Sequence, residues 1–329
     1  MRVQMELTVI SIFAGCGGSS LGYKMAGYKE LLAIDFDKNA VETFKLNFKN
    51  VPVWERDITQ VQTDEILKFC KIKKGQLDIL DGSPPCQGFS TAGKRKVNDS
   101  RNVLFKEFVR LIDELQPKVF IMENVSGMIK GKMKGMFIEI MQTLKSLNYN
   151  VKCKLLNAKF YEVPQSRERL FFIGVRKDLN VEPSFPKPLN KVITVKEALK
   201  GVKLSEIKYP INLIDINYSK IKQGSNLATE LIKQGLKGNY FNVIKAHSNK
   251  ALCTITKLFS TGAAGILHPQ DKRYLCINEL KRLSSFPDNF IFTGKFAEQW
   301  ARIGNSVMPK QMYHIAKHIK ENIFSKIIQ

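Results

Sequence analysis

Cys86 stands in the stretch "GSPPCQGFS", Gly82 to Ser90, directly after the apolar run "LDIL". Pro84 and Pro85 fix φ on the approach to it and remove two backbone N–H donors. A thiol at a strand terminus is thereby held by a stiff backbone, which is the preorganisation a nucleophile requires. Buried free cysteine is more often a small hydrophobe, the ordinary reading of Cys16, Cys70, Cys153, Cys253 and Cys276. Glu123 ends another apolar run, "KVFIMENV", where a charge is costly unless it has a partner or a task. Neighbouring parallel strands would bring it near Cys86. In "QSRER", 165–169, Arg167 and Arg169 alternate and share one face if the segment is extended. Two fixed guanidiniums facing a cleft suit a phosphate or a carbonyl oxygen, whereas the plainer reading is a set of edge-strand salt bridges.

A second group of residues suits a nucleoside. "FAGCGGSSLG", 13–22, clusters Gly15, Gly17 and Gly18 after a strand-like run, where glycine allows a tight turn and close approach of a ligand to the backbone. A dinucleotide fingerprint starting at Gly15 would need glycine at position 20, which is Ser20, so a nicotinamide oxidoreductase reading fails there. Asp35, in "AIDFD", can accept both hydrogen bonds of a ribose diol, Phe36 can stack on adenine, and Asp57 can accept from an adenine amino group. Each aspartate alone would more commonly cap a helix. Together at successive strand ends they point to an adenosine site.

The elements that must carry these groups alternate through the first half of the chain. "LTVISIFAG", "ELLAIDFD", "VPVWERDI", "LDILDGS", "PKVFIMENV", "NVKCKLLNA" and "ERLFFIGVR" read as strands, separated for the most part by helix-period segments. This βα repetition predicts an α/β fold with a mostly parallel sheet covered by helices, and ligands at the carboxyl ends of its strands. From about Lys177 the rhythm gives way to "NVEPSFPKPLNK", and a domain boundary is placed there. A closing amphipathic helix is predicted over 310–328, with Met312, Ile315, Ile319, Ile323 and Ile327 on one side.

Composition bounds the classes. Over 329 residues, 52 Lys+Arg face 30 Asp+Glu, a formal charge of +22, which favours a polyanion such as nucleic acid, although a Lys-rich solvated surface explains the charge alone equally well. The six cysteines show neither C-x-x-C nor zinc spacing, so a reduced compartment is expected, and no apolar run reaches membrane-spanning length. A soluble, cytoplasmic protein is the expectation.

"FAGCGG", "AIDFD", "GSPPCQGFS", "ENV", "QSRER", "LSSFPDNF" and "RIGNSV" occur in the order found in the C5-cytosine DNA methyltransferases, which the chain resembles over nearly its whole length apart from a variable region near 180–275. The resemblance implies a Rossmann-like, S-adenosylmethionine-dependent catalytic domain over 1–185 and 291–329. A small irregular target-recognition domain and hinge would occupy 186–290. It assigns Cys86 as the nucleophile for C6 of a flipped cytosine, Glu123 to N3 and the exocyclic amine, Arg169 to O2 and Arg167 to the neighbouring backbone. C5 would then take the methyl group, with no metal required. Phe13, Gly15, Gly17, Gly18, Asp35, Phe36, Asp57, Ile58, Pro85, Leu104, Asn305, Ser306 and Val307 would hold S-adenosylmethionine, leaving S-adenosylhomocysteine as product. Asp35 and Phe36 stand where the family often has Glu and Trp. Gln87, Ser90, Lys94, Arg95, Lys96 and Arg101, with Thr254 and Thr256 of "CTITKLFSTGAAG", would contact double-stranded DNA.

The resemblance is to the bacterial restriction-modification type, which implies a prokaryotic or phage, nucleoid-associated enzyme. Monomer is the default state, and a separate cognate endonuclease is left open. Two other readings were weighed. A relative acting on tRNA would carry a Cys-Phe-Thr signature, which is absent from the chain. A silent DNA-binding copy would have no chemical reason to retain Cys86, Glu123 and Arg169 together.

Overall fold

The βα repetition of the first half builds a seven-stranded sheet in the order Val53–Glu55 (β3), Lys29–Asp35 (β2), Thr8–Ile12 (β1), Ile79–Gly82 (β4), Val119–Val125 (β5), Glu168–Arg176 (β7) and Tyr149–Asn157 (β6). The computed structural model describes residues 6–85, 103–129, 134–210, 218–235 and 242–327. The chain divides into two units. The first comprises Met1–Leu156, Glu168–Lys187 and Met312–Gln329, and the second Asn157–Arg167 and Pro188–Gln311.

In the first unit, β1 (Thr8–Ile12), β2 (Lys29–Asp35), β3 (Val53–Glu55), β4 (Ile79–Gly82) and β5 (Val119–Val125) pair in parallel. The sequence order reverses between β1 and β4, so the chain leaves neighbouring strand ends in opposite directions and opens a crevice at Ile12 and its partner Gly82. β6 (Tyr149–Asn157) and β7 (Glu168–Arg176) complete the sheet. β7 runs antiparallel to β5, with Glu123 opposite Phe171 and Val125 opposite Arg169.

Helices cover both faces. Asp81 of β4 meets Tyr23 of α1 (Gly18–Met25), while its neighbour Gly82 lies against Phe108 of α4 (Val103–Leu115). Successive strand residues point to opposite faces, so α1 and α4 lie on opposite sides. On α4, Phe105, Phe108, Leu111, Ile112 and Leu115 form one buried stripe, joined in the core by Met136, Ile140 and Leu144 of α5 (Lys134–Ser146). α2 (Lys38–Asn47) is capped by Asp37, whose side chain accepts from Ala40 N. The end of the chain returns to this unit, where Tyr28 Oη donates to Ala316 O at 3.0 Å. The closing helix is regular over Pro309–Ile319 and continues as a π-helical turn over Lys320–Phe324. Met312, Ile315, Ile319 and Ile323 are fully buried, and Ile327 is half-buried.

The second unit holds a two-stranded parallel sheet, β8 (Asn242–Lys245) and β9 (Ala264–Leu267), and short helices including α8 (Ile277–Leu283) and α9 (Phe296–Asn305). Its core gathers Tyr218, Ile221, Leu227, Leu231, Val243, Leu267 and Tyr274, and Phe259 stacks between Tyr274, Phe296 and Trp300. Among the described residues, no helix is long and apolar enough to cross a membrane.

Close packing at the β5–β7 seam yields a test. A Cβ on Gly174 would lie 2.0 Å from the ring of Phe120, which is fully buried and in edge contact with both Phe108 and Tyr149. Gly174→Ala is expected to destabilise by about 1–3 kcal/mol, lowering the urea midpoint at unchanged slope. A wild-type midpoint would contradict this packing.

Candidate active site

The glycine turn, the aspartates and the carboxylate of "ENV" all fall at one edge of the first unit's sheet. Phe13 follows β1 with φ 56°, Gly15 has φ 56°, and Gly17, at φ 92°, precedes α1 without a side-chain cap. The turn is fastened to β2, because Asp35 Oδ2 accepts from Gly15 N at 2.7 Å and Oδ1 accepts from Asp37 N at 2.9 Å. Asp35 therefore shapes the turn. A Cβ on Gly15 would meet nothing within 4 Å, so a cradle lies open beside the backbone there. Phe36 leaves its ring 70% exposed next to Asp35. An open turn, a carboxylate and an exposed aromatic face fit the adenosine portion of S-adenosylmethionine.

The remaining assignments in this unit are less uniform. Asp57 is exposed and caps a short turn, its Oδ1 accepting from Thr59 N and Oγ1 at 3.0 and 2.9 Å. Ile58 packs its side chain in the core. Leu104 is half-buried on α4, and Pro85 is exposed beside buried Pro84. Cys86, Gln87, Ser90, Lys94, Arg95, Lys96 and Arg101 lie outside the described residues.

Glu123 and Arg169 form an ion pair, Nε to Oε1 at 2.8 Å, with only 11% and 15% of their side chains exposed. The register explains the meeting. Glu123 faces Phe171 across the ladder, and Arg169 is two residues along on the same face. Arg169 also donates through Nη1 to Glu168 O at 2.8 Å. The guanidinium is thus aimed by two contacts and still has N–H groups to spare. Asn124, 5% exposed, donates through Nδ2 to Pro84 O at 3.1 Å and joins the end of β5 to the end of β4. Sequence reasoning passed over it, though a buried amide in an apolar run is itself a signal.

Arg167 is held inside the protein. It precedes β7, belongs to the second unit and is 2% exposed, with Nη1 donating to Ile255 O at 3.1 Å and Nη2 to Gly304 O at 2.9 Å. Its guanidinium brackets protein backbone. Gln165, fully buried, does similar work: its Oε1 accepts from Ile255 N at 3.1 Å and its Nε2 donates to Ser284 Oγ at 3.2 Å. Thr254 directs its hydroxyl to Ser166 O at 2.8 Å, whereas Thr256 is exposed. The segment containing Thr256 passes so close to α9 that a Cβ on Gly304 would lie 2.4 Å from Thr256 O, which explains the glycine of "RIGNSV". Asn305 is exposed, Ser306 donates to Arg302 O at 2.7 Å, and Val307 is nearly buried; all three lie in the second unit.

The bracket makes Arg167 a structural residue. Arg167→Leu removes the donors to two carbonyls and is expected to cost about 2–4 kcal/mol in urea unfolding. A loss below about 1 kcal/mol would mean that the guanidinium is not needed for folding.

The family model for C-5 cytosine-specific DNA methylases matches residues 7–321. The chain is 34% identical over 333 residues to the Type II methyltransferase M1.HphI of Haemophilus parahaemolyticus, covering 96% of this chain and 87% of that protein. It is 32% identical to the Type II methyltransferase M.DdeI of Desulfomicrobium norvegicum, covering 96% and 90%. Among solved structures, an Escherichia coli prophage chain described as a candidate DNA modification methyltransferase superposes with TM-score 0.75 at 26% identity, over 97% of this chain and 100% of that one. A Spodoptera frugiperda DNMT2 variant shares the fold, with TM-score 0.67 at 20% identity over 98% and 100%. With a match this long to the family model and relatives aligned nearly end to end, the chain belongs to the C-5 cytosine-specific DNA methylase family, the DNA (cytosine-5-)-methyltransferases.

Proposed function

We propose that the protein methylates C5 of a cytosine turned out of duplex DNA, with S-adenosylmethionine as donor and a transient covalent bond between Cys86 and C6. The observation that carries this reading is the Glu123–Arg169 pair beside the glycine turn's sheet edge. A carboxylate and a guanidinium on one face complement the N3/amine edge and the O2 of cytosine, and inside a stacked duplex N3 is held in the base pair and the ring faces at C5 and C6 are shielded. S-adenosylmethionine, when bound, supplies the electrophilic methyl group.

The chain's own residues do the rest. Addition of the Cys86 thiolate to C6 pushes an electron pair through the ring toward C5 and N3. Glu123 meets the charge developing at N3 with a proton or a strong hydrogen bond. Arg169 stabilises O2. After C5 is methylated, loss of its proton re-forms the C5–C6 double bond and expels the thiolate. Asp35 and Phe36 hold the nucleoside portion of the donor, and Gly15 and Gly17 let it approach the backbone. Segment 186–290 would read the DNA sequence. The formal charge of +22 supports a duplex partner through phosphate contacts.

The protein is to be incubated with methyl-labelled S-adenosylmethionine and either mixed-sequence duplex DNA or tRNA, alongside Cys86→Ala. Label recovered as 5-methyl-deoxycytidine with the wild type alone is the expected result. Label in tRNA alone, or in DNA with Cys86→Ala, overturns the reading. Glu123→Gln keeps shape but removes the acid, and should lower kcat by about 10²–10⁴-fold with little change in KM for DNA.

A further inference from the structure

Asp81 carries a charge where a parallel sheet has little use for one. It lies on β4 with Ser11 of β1 and Ile121 of β5 as strand neighbours, and it is 4% exposed. An apolar side chain would serve stability there as well or better, since a buried carboxyl is tolerated only when hydrogen bonds compensate it. The compensation comes from α1. Tyr23 Oη, itself fully buried, donates to Asp81 Oδ1 at 3.1 Å, and the Ser19 hydroxyl favours the charged carboxylate from the same helix. Ser19 and Tyr23 are four residues apart, so both donors stand on one face of the helix. Ser20 adds a tie to the next strand, its Oγ donating to Glu30 Oε1 at 2.9 Å. Because α1 starts directly from Gly17 and has no side-chain cap, the place of the glycine turn depends on where α1 is held.

We propose that Asp81 is a positioning residue for the cofactor: by taking a hydrogen bond from Tyr23, with Ser19 on the same helix face, it fixes α1 against β4 and so holds Gly15, Gly17 and Gly18 in the shape that receives S-adenosylmethionine. This rests on the functional reading above. The hold continues on the other side of β4, where Pro84 O accepts from Asn124, the neighbour of Glu123. The glycine turn and the pyrimidine-side carboxylate are thereby anchored to one strand.

The network also exchanges protons near neutrality. Burial pushes the Asp81 carboxyl up to about 7 against the hydrogen bonds from Tyr23 and Ser19, and the charge of Glu123 adds to the rise. The titratable groups around it are Tyr23 of α1, with Tyr28 in edge contact behind it, Glu30 of β2, and Glu123 of β5, which is paired to Arg169 of β7. Burial raises Glu30 to about 7 as well and holds Tyr23 far above the ordinary tyrosine range. Hydrogen bonds to an ionised acceptor are roughly twice as strong as neutral ones, so the grip on α1 strengthens as pH rises through about 7 and weakens as it falls through it.

The test is calorimetric titration of the full chain with S-adenosylhomocysteine from about pH 6 to about pH 8, with thermal midpoints measured on the same samples. Wild-type affinity should tighten several-fold with rising pH. Asp81→Asn keeps the shape but stays neutral, and Tyr23→Phe removes one donor. Each should weaken binding about tenfold at about pH 8 and flatten the pH dependence, with a melting temperature near that of the wild type. Ser19→Ala should weaken binding to a smaller extent and carries the test should Tyr23→Phe not fold. Folded variants with wild-type affinity at every pH overturn the proposal, because a merely structural role would move only the melting temperature. A wild-type protein that binds no S-adenosylhomocysteine overturns the cofactor reading, and this one with it.

Discussion

An antiparallel strand inserted into a parallel sheet brings its beginning, not its end, to the edge where the other strands finish. β7 does this beside β5, and the site depends on it. Had β7 run parallel, Arg169 would stand at the far edge of the sheet and Glu123 would face solvent or a different partner. With the reversal, pleat and register alone place the two charges 2.8 Å apart on one face. The cost of taking both from water is offset by their pairing and by the carbonyl that Arg169 also reaches. Asn124 and Asp35 then fasten the neighbouring strand end and glycine turn by contacts to backbone atoms, so the edge is a set of cross-braced termini.

The sequence disclosed those parts of the architecture that follow from periodicity and punctuation. The strands of the first unit announce themselves as β-rich apolar runs, Gly15 to Gly18 as a turn, and Glu123 as a charge at the end of an apolar run. The face of Arg167 was not legible, because alternation locates a face only inside a strand, and β7 begins one residue later. Asp81 was hidden by its company: within "LDILDGS" it reads as part of a strand, and nothing local tells that Ser19 and Tyr23, far upstream, will supply its hydrogen bonds. Gln165 and Asn124 escaped for the same reason, their partners being contributed by distant segments.

The second unit solves a different problem. With two four-residue strands and short helices, it has few regular ladders in which to satisfy backbone carbonyls. Long basic side chains take over. Lys245 donates to the carbonyls of Tyr218 and Ile221, Lys281 to those of Asp288 and Phe290, and Arg167 to those of Ile255 and Gly304. Arg273 meets Glu279 through two nitrogens at 2.7 and 2.9 Å. Burial lowers the affinity of Lys245 and Lys281 for their protons, the expected sign for a desolvated ammonium. Part of the chain's basic excess is thus internal bracing and does not act on a partner.

The return of residues 312–329 to the first unit bears on how the protein is made. Tyr28 and Ala316 are separated by 288 positions, and Lys320 reaches back to Ala26 O at 3.3 Å. During synthesis the glycine turn and its helix emerge well before the helix that packs beside them, with residues of the second unit made in between. Contacts of such long sequence separation close late and slowly. The nascent first unit therefore waits with the docking face of that helix uncovered while the whole second unit is synthesised. A chain cut before Ala316 lacks this seam, which ties closure of the first unit to prior synthesis of the second.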